Sequence, residues 1–203
     1  MKLGLYGGSF DPIHYGHLQP VRRAREALGL DRILYLPTAR PPHKRGRRQA
    51  PALARFTMVE LALLEDSKAW VSSLEMEDEH VTYTVDTLRH FHRQDPELDL
   101  HLLVGSDSFL GLSTWHQWQE IPRLARIVIM ARPGWNAREA SPELTELVAS
   151  GRAVTVPDAV RVEASSTEIR RRLAADEIEG NPPLSGLVPA QVLDYIAKYE
   201  LYR

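Results

Sequence analysis

Residues 1–18 read MKLGLYGGSFDPIHYGHL, and the fold class turns on how that stretch divides. Leu3-Gly4-Leu5-Tyr6 is a short apolar run, which reads as a buried strand ended by Gly7 and Gly8. From about His17 to Leu28 the apolar positions Leu18, Val21, Ala24 and Leu28 recur at helical spacing, and Gly29 stops the pattern. The same alternation continues downstream. Strands are expected at Arg32–Leu36, Trp70–Ser72, Leu100–Val104, Arg126–Met130 and Val154–Val156. Helices are expected near Ala52–Leu64, Val85–His92, Pro142–Ser150, Thr167–Ala174 and Pro189–Tyr199. The strands are continuous apolar runs, the mark of a parallel sheet covered on both faces. The expectation is a single-domain α/β fold built on a doubly wound parallel sheet. Ligands of such sheets sit beyond the carboxyl ends of the strands, where the strand order reverses. The ends at Gly7, Pro37, Gly105 and Arg132 should therefore face one site.

A chain of 203 residues fits one domain that buries roughly 70% of its unfolded surface. With 43% hydrophobic and 26% charged residues, the composition is that of an ordinary globule. A net charge of −2 counts against a general nucleic-acid binder, whose affinity comes from excess Lys and Arg on phosphates. Cysteine is missing, so disulfides and thiolate metal ligands are excluded, which fits a reducing compartment. The N-terminal apolar run is too short for a signal peptide, and no stretch approaches the ~18 apolar residues of a membrane span. The expected setting is cytoplasmic, without membrane or nucleic-acid partners. A homo-oligomer is compatible with all of this.

The opening glycines form neither a P-loop nor a dinucleotide fingerprint, but the physics is shared. Glycines after a strand let the backbone pass close to a ligand. The helix that follows offers free N–H groups and a positive dipole end to an anion. His14 and His17, three residues apart, share one face of a helix start, and Gly16 removes a side chain beside them. Two imidazoles beside a phosphate can stabilise charge in phosphoryl or nucleotidyl transfer. From these residues alone two other readings stand. One is a tight strand–helix connection with two surface histidines, its turn shaped by Asp11 and Pro12. The other is a metal site of Asp11, His14 and His17.

Later stretches carry the same ambiguity. Arg40, His43, Lys44, Arg45, Arg47 and Arg48 crowd one loop, which is either a solvated surface or a lid over an anionic substrate. Ser165-x-x-Glu168 is a capping box, and a capped helix start is also an anion site, with Arg170 on the face of Ser166. Arg171 and Arg172 read as solvated. Asp107, just past the fourth strand, suits a ribose hydroxyl, a metal-bound water or a helix cap. Of the nearby tryptophans, Trp118 reads as core. A tryptophan near a strand end can also stack on a flat ring, with a cation–π gain if that ring is a pyridinium.

GGSFDPIHYGHL resembles the H-x-G-H signature of the nucleotidyltransferase superfamily related to class I aminoacyl-tRNA synthetases. PTARPPHK, TYTVDTL, GSDSFLGLSTWHQW, ARPG and SSTEIR follow in order along nearly the whole chain. Together these blocks make the sequence more closely similar to the bacterial nicotinate mononucleotide adenylyltransferases. The resemblance implies a Rossmann-like nucleotidyltransferase fold. It implies transfer of the adenylyl group of ATP to nicotinate mononucleotide, giving deamido-NAD and pyrophosphate, with Mg²⁺ arriving on ATP. The partners implied are thus ATP and nicotinate mononucleotide. The catalytic residues implied are His17, on the transition-state phosphoryl oxygens, and His14, on the ATP phosphates. The implied ATP-binding set is Gly7, Gly8, Ser9, Phe10, His14, His17, Gly105, Asp107, Ser165, Ser166, Thr167 and Arg170. The implied mononucleotide-binding set is Lys44, Tyr83, Thr84, Asp107, Trp115, His116 and Arg132. No metal ligands are implied.

Within those sets Lys44, from PPHK, approaches the phosphates, Trp115 lies on the nicotinate ring, and backbone amides near Tyr83 and Thr84 hold its carboxylate. Two positions depart from the family pattern. Ala164 replaces the usual isoleucine, and His116 stands where relatives often carry tyrosine. Residues 165–203 are expected to form a C-terminal helical part that completes the ATP site. TYTVDTL and LSTWHQW favour the nicotinate enzyme over sister transferases that use nicotinamide mononucleotide, pantetheine phosphate, FMN or a cytidylyl donor. The lack of a K-M-S-K-S block counts against a synthetase fragment, and intact His14, His17, Lys44 and Arg170 count against a non-catalytic nucleotide sensor.

Overall fold

The computed structural model describes residues 1–39, 49–76, 83–132, 134–157, 159, 162 and 164–203. The strands are β1 (Lys2–Gly8), β2 (Arg32–Pro37), β3 (Ala69–Val71), β4 (Asp99–Gly105), β5 (Arg126–Met130) and β6 (Ala153–Val156). The helices are α1 (Tyr15–Leu28), α2 (Ala52–Leu63), α3 (Thr84–Gln94), α4 (Ser106–Leu110), α5 (Ile121–Leu124), α6 (Pro142–Ala149), α7 (Ser166–Ala174) and α8 (Ala190–Lys198). The six strands form one sheet in the order β3-β2-β1-β4-β5-β6, and every pairing is parallel. The order reverses between β1 and β4, so the doubly wound expectation is met and the switch point lies at the sheet centre. Among the described residues no helix is long and apolar enough to cross a membrane.

Side-chain alternation explains why uniformly apolar strands make two separate cores. Ile33 and Tyr35 of β2, Leu103 of β4, and Val128 and Met130 of β5 pack on one face under α1, α2, α7 and α8. Leu3 and Leu5, Leu100 and Leu102, and Ile127 and Ile129 pack on the other face under α3 to α6. Gly4 makes the first of these layers possible. A Cβ there would stand 2.5 Å from the Ile33 side chain and 3.0 Å from that of Leu103.

Three local features depart from the sequence reading. α1 begins at Tyr15 rather than near His17, because the extended residue His14 acts as its N-cap. The short helices α4 and α5 carry too few turns to show a period in the sequence. Arg172 is buried rather than solvated: it donates to the carbonyls of Glu177, Ile178 and Pro182, and so ties down the connection after α7.

A second buried arginine shapes the rim of the sheet. Arg55 of α2 donates from Nε to the Ala50 carbonyl (3.2 Å) and from Nη2 to that of Ala39 (3.0 Å). Its Nη1 serves the carbonyls of Ser9 (2.6 Å) and Thr38 (2.9 Å). Both described stems of the 40–48 stretch are thereby tied to the loop after β1. Asp11 completes the arrangement. Its carboxylate accepts from the Ala50 N–H (3.1 Å) and the Tyr202 hydroxyl (2.8 Å), and Arg170 stands 3.6 Å away. Removing the Arg55 donors strands several buried carbonyls, each worth ~1–3 kcal/mol when unsatisfied. Arg55→Met is expected to lower unfolding stability by about 3 kcal/mol or more, read from urea denaturation. Arg55→Lys should recover less than half, since a single ammonium cannot reach carbonyls spread around a planar fork.

Candidate active site

The carboxyl ends of β1, β2, β4 and β5 open into one cavity of about 1190 Å³. That exceeds the ~300–1,000 Å³ that encloses a drug-sized ligand, so the space suits two nucleotides. Gly7 and Gly8 line it where β1 ends. The two glycines do different work. A Cβ on Gly7 would meet nothing within 4 Å and would project into open space, whereas one on Gly8 would strike the Phe10 ring at 2.9 Å. Phe10 adopts φ 45°, which turns its ring under Gly8, and the ring packs edge-on against His17 at 5.3 Å.

His14 and His17 occupy the N-cap and third position of α1, and their rings stack with centroids 3.7 Å apart. The His14 backbone N–H donates to His17 Nδ1 at 3.3 Å. An imidazole that accepts on Nδ1 carries its proton on Nε2. His14 itself is only 4% exposed, and its Nδ1 is buried with no hydrogen-bond partner among the described residues. Burial pushes its pKa down to about 4, so the ring is neutral at pH 7. Gly16 permits this crowding: a Cβ there would lie 2.9 Å from His14 Nδ1 and 3.2 Å from the Ala164 carbonyl. The reading of two surface histidines therefore fails at His14. Asp11, buried and engaged by Ala50, Tyr202 and Arg170, does not line the cavity with the histidines.

Beside the histidines stands the start of α7. Ser165 caps it, accepting from the Glu168 N–H at 3.1 Å, and Ser165, Ser166 and Thr167 line the cavity. The capping box is only half formed, because the Glu168 carboxylate pairs with Arg171 instead. The Ser166 hydroxyl donates to the Pro12 carbonyl at 3.1 Å and so joins α7 to the histidine loop. Arg170 does not line the cavity; its Nη1 donates to the Asp11 carbonyl at 2.6 Å.

The opposite wall comes from β4, β5 and α3. Gly105, Asp107, Trp115, His116, Arg132, Tyr83 and Thr84 all line the cavity. Asp107 and Arg132 form a loose pair at 3.4 Å with both side chains mostly exposed, a geometry that contributes little by itself and leaves both groups open to a ligand. His116 stacks on Tyr83 with ring centroids 4.3 Å apart. Arg89 of α3 binds Glu120 and donates to Gln117, so the Trp115 segment is braced on α3. Lys44 lies outside the described residues. Sequence reasoning missed Glu75, a buried acid on this wall whose oxygens accept from Thr38 (2.9 Å) and Thr87 (2.8 Å). Burial raises its pKa, with the two hydroxyl donors pulling the other way. Nothing in the local sequence separates this glutamate from Glu77, Asp78 and Glu79.

Histidines at a helix start and a second capped helix facing a switch-point cavity define a nucleotide-handling α/β protein. The model of the cytidylyltransferase-like family matches residues 5–172. A probable nicotinate-nucleotide adenylyltransferase from Thermus thermophilus is 43% identical over 203 residues, covering all of both chains. One from Corynebacterium kroppenstedtii is 38% identical over 201 residues, covering 99% of this chain and 90% of its own. A Plasmodium falciparum nicotinic acid mononucleotide adenylyltransferase complexed with APC shares the fold, with TM-score 0.75 at 19% identity over 99% of this chain and 96% of that one. The chain belongs to the cytidylyltransferase-like nucleotidyltransferases and, among them, to the nicotinate-nucleotide adenylyltransferase family.

The buried His14 has a consequence for stability. Between pH 6.5 and about 4 the unfolded chain binds a proton that the folded site refuses. Its contribution is thus complete above pH 6.5 and drains as the pH falls towards 4, amounting to about 3 kcal/mol over that window. Urea unfolding at pH 7 and pH 5 should show His14→Gln losing about 2 kcal/mol less than the parent on acidification.

Proposed function

We propose that this chain transfers the adenylyl group of ATP to nicotinate mononucleotide, releasing pyrophosphate and forming deamido-NAD, in a cytoplasmic setting and without nucleic acid. The stacked His14–His17 pair, set at the start of α1 in the same cavity as the capped start of α7, carries this reading. The 5′-phosphate oxygen of the mononucleotide attacks the α-phosphorus of ATP. A new P–O bond forms, the bond to the β-phosphate oxygen breaks, and pyrophosphate leaves. No protein nucleophile is needed, so catalysis is positioning and charge stabilisation. Mg²⁺ enters with ATP as part of that substrate, held by phosphate oxygens.

His17, with its proton on Nε2, donates to a phosphoryl oxygen as charge builds in the transition state. His14 lines the same cavity beside it and faces the ATP phosphates, whose negative charge favours its protonated form. Gly7 admits the nucleotide backbone close to β1, and the 165–203 part, through the start of α7, completes the ATP side. Lys44 neutralises phosphate charge. Arg170 acts through Asp11, holding the loop that carries both histidines. Asp107 and Arg132 take the mononucleotide, whose ring lies on Trp115 and whose carboxylate meets the amides near Tyr83 and Thr84.

Pyrophosphate release with ATP and each candidate mononucleotide tests the reading, and a strong preference for nicotinamide mononucleotide would overturn the choice of substrate. His17→Ala is expected to cut turnover by ~10²–10³ while leaving the fold intact. Near-normal turnover in that folded variant would refute its role. Trp115→Ala should raise KM for the mononucleotide about tenfold and leave KM for ATP near its parent value, since a stacked cationic ring is worth ~1–2 kcal/mol.

A further inference from the structure

Glu75 lies in the turn after the edge strand β3, eight residues before Tyr83, and it lines the same cavity. It is 7% exposed, and a buried carboxylate is unfavourable unless donors meet it. Those donors are neutral hydroxyls on two different elements. Thr38 Oγ1 reaches Oε2 from the end of β2, and Thr87 Oγ1 reaches Oε1 from the first turn of α3. The Glu75 carbonyl also accepts from the Ala39 N–H at 3.1 Å. One residue therefore ties the stem of the 40–48 stretch to the helix start that carries Tyr83 and Thr84. Thr87 stands three residues after Thr84, on the same face of α3. Holding Thr87 thus holds the first turn, where the Asp86 and Thr87 N–H groups donate to the Tyr83 carbonyl and those of Thr84 and Val85 precede any helix carbonyl.

We propose that Glu75 is a positioning residue for the mononucleotide half of the site, where its two carboxylate oxygens lock the first turn of α3 against the end of β2. The proposal rests on the adenylyl-transfer reading above and adds a residue through which the acid-bearing ring is placed. A tie that served the fold alone would affect both substrates or neither, because the ATP side is built on α1 and α7. A tie that sets the α3 start affects the mononucleotide selectively.

The test is steady-state kinetics on Glu75→Ala, Thr87→Val and Thr87→Ser, with KM for each substrate measured separately and folding checked by thermal melting. Glu75→Ala and Thr87→Val should each raise KM for nicotinate mononucleotide about tenfold and keep KM for ATP within about twofold. Their preference for nicotinate over nicotinamide mononucleotide should fall. Thr87→Ser, which keeps the hydroxyl, should restore the parent KM. An unchanged KM for the mononucleotide in folded variants overturns the proposal, as does an equal rise for ATP. If Glu75→Ala does not fold, the isosteric Thr87→Val decides by the same criteria. A parent protein that releases no pyrophosphate from ATP and nicotinate mononucleotide overturns the adenylyl-transfer reading itself, whereas an active parent with unmoved variants overturns the Glu75 role alone.

Discussion

The guanidinium of Arg55 lies beneath the cavity rim, where four backbone carbonyls from the loop after β1 and the two stems of the 40–48 stretch point inward with no ladder or helix to receive them. Loops at the carboxyl edge of a parallel sheet face this difficulty in general, because the strands end there while the chain must still turn. Water could satisfy such carbonyls only by flooding the floor of the site. A planar cation with five donors satisfies them dry and in fixed directions. The loop after β1 and both stems of the 40–48 stretch thus share one anchor, and His14 follows five residues after Ser9. Asp11 supplies the counter-charge and recruits Ala50, Arg170 and Tyr202 to the same point.

On this frame the protein holds a costly group in place. His14 is buried and neutral, and among the described residues its Nδ1 has no hydrogen-bond partner. A fold optimised for stability alone would not keep it so, since an unsatisfied buried polar atom costs ~1–3 kcal/mol. The arrangement fixes the ring on the cavity wall at the start of α1. Gly16 is the local concession that allows the ring, the α1 start and the Ala164 carbonyl to crowd together. Gly8 makes the corresponding concession to Phe10.

Much of this was legible beforehand, for a physical reason. Strand runs, helix periods and the glycine-rich break after β1 are local patterns, and each is dictated by neighbours a few residues away. The candidate residues follow the same logic. His14, His17, Ser165 and Asp107 stand next to element ends, and the ends of parallel strands converge on one edge. Less legible was which way a long charged side chain would turn. Arg170, expected on phosphate, is held by the Asp11 backbone, and Arg172, expected in water, is buried against three carbonyls. Both follow serines of one helix, and only the packing of α7 distinguishes their faces.

The sequence by itself determined the α/β alternation, the parallel sheet and the placement of the two histidines at a helix start. Short-range sterics and periodicity leave little freedom in those features. Tertiary structure decided which buried charges hold the rim together. Arg55 meets Ser9 across 46 residues, Tyr202 meets Asp11 across 191, and Glu75 joins Thr38 to Thr87. No local pattern encodes such contacts. They exist because the folded chain leaves particular carbonyls and hydroxyls without water, and each must then find a partner among whatever side chains the packing brings near.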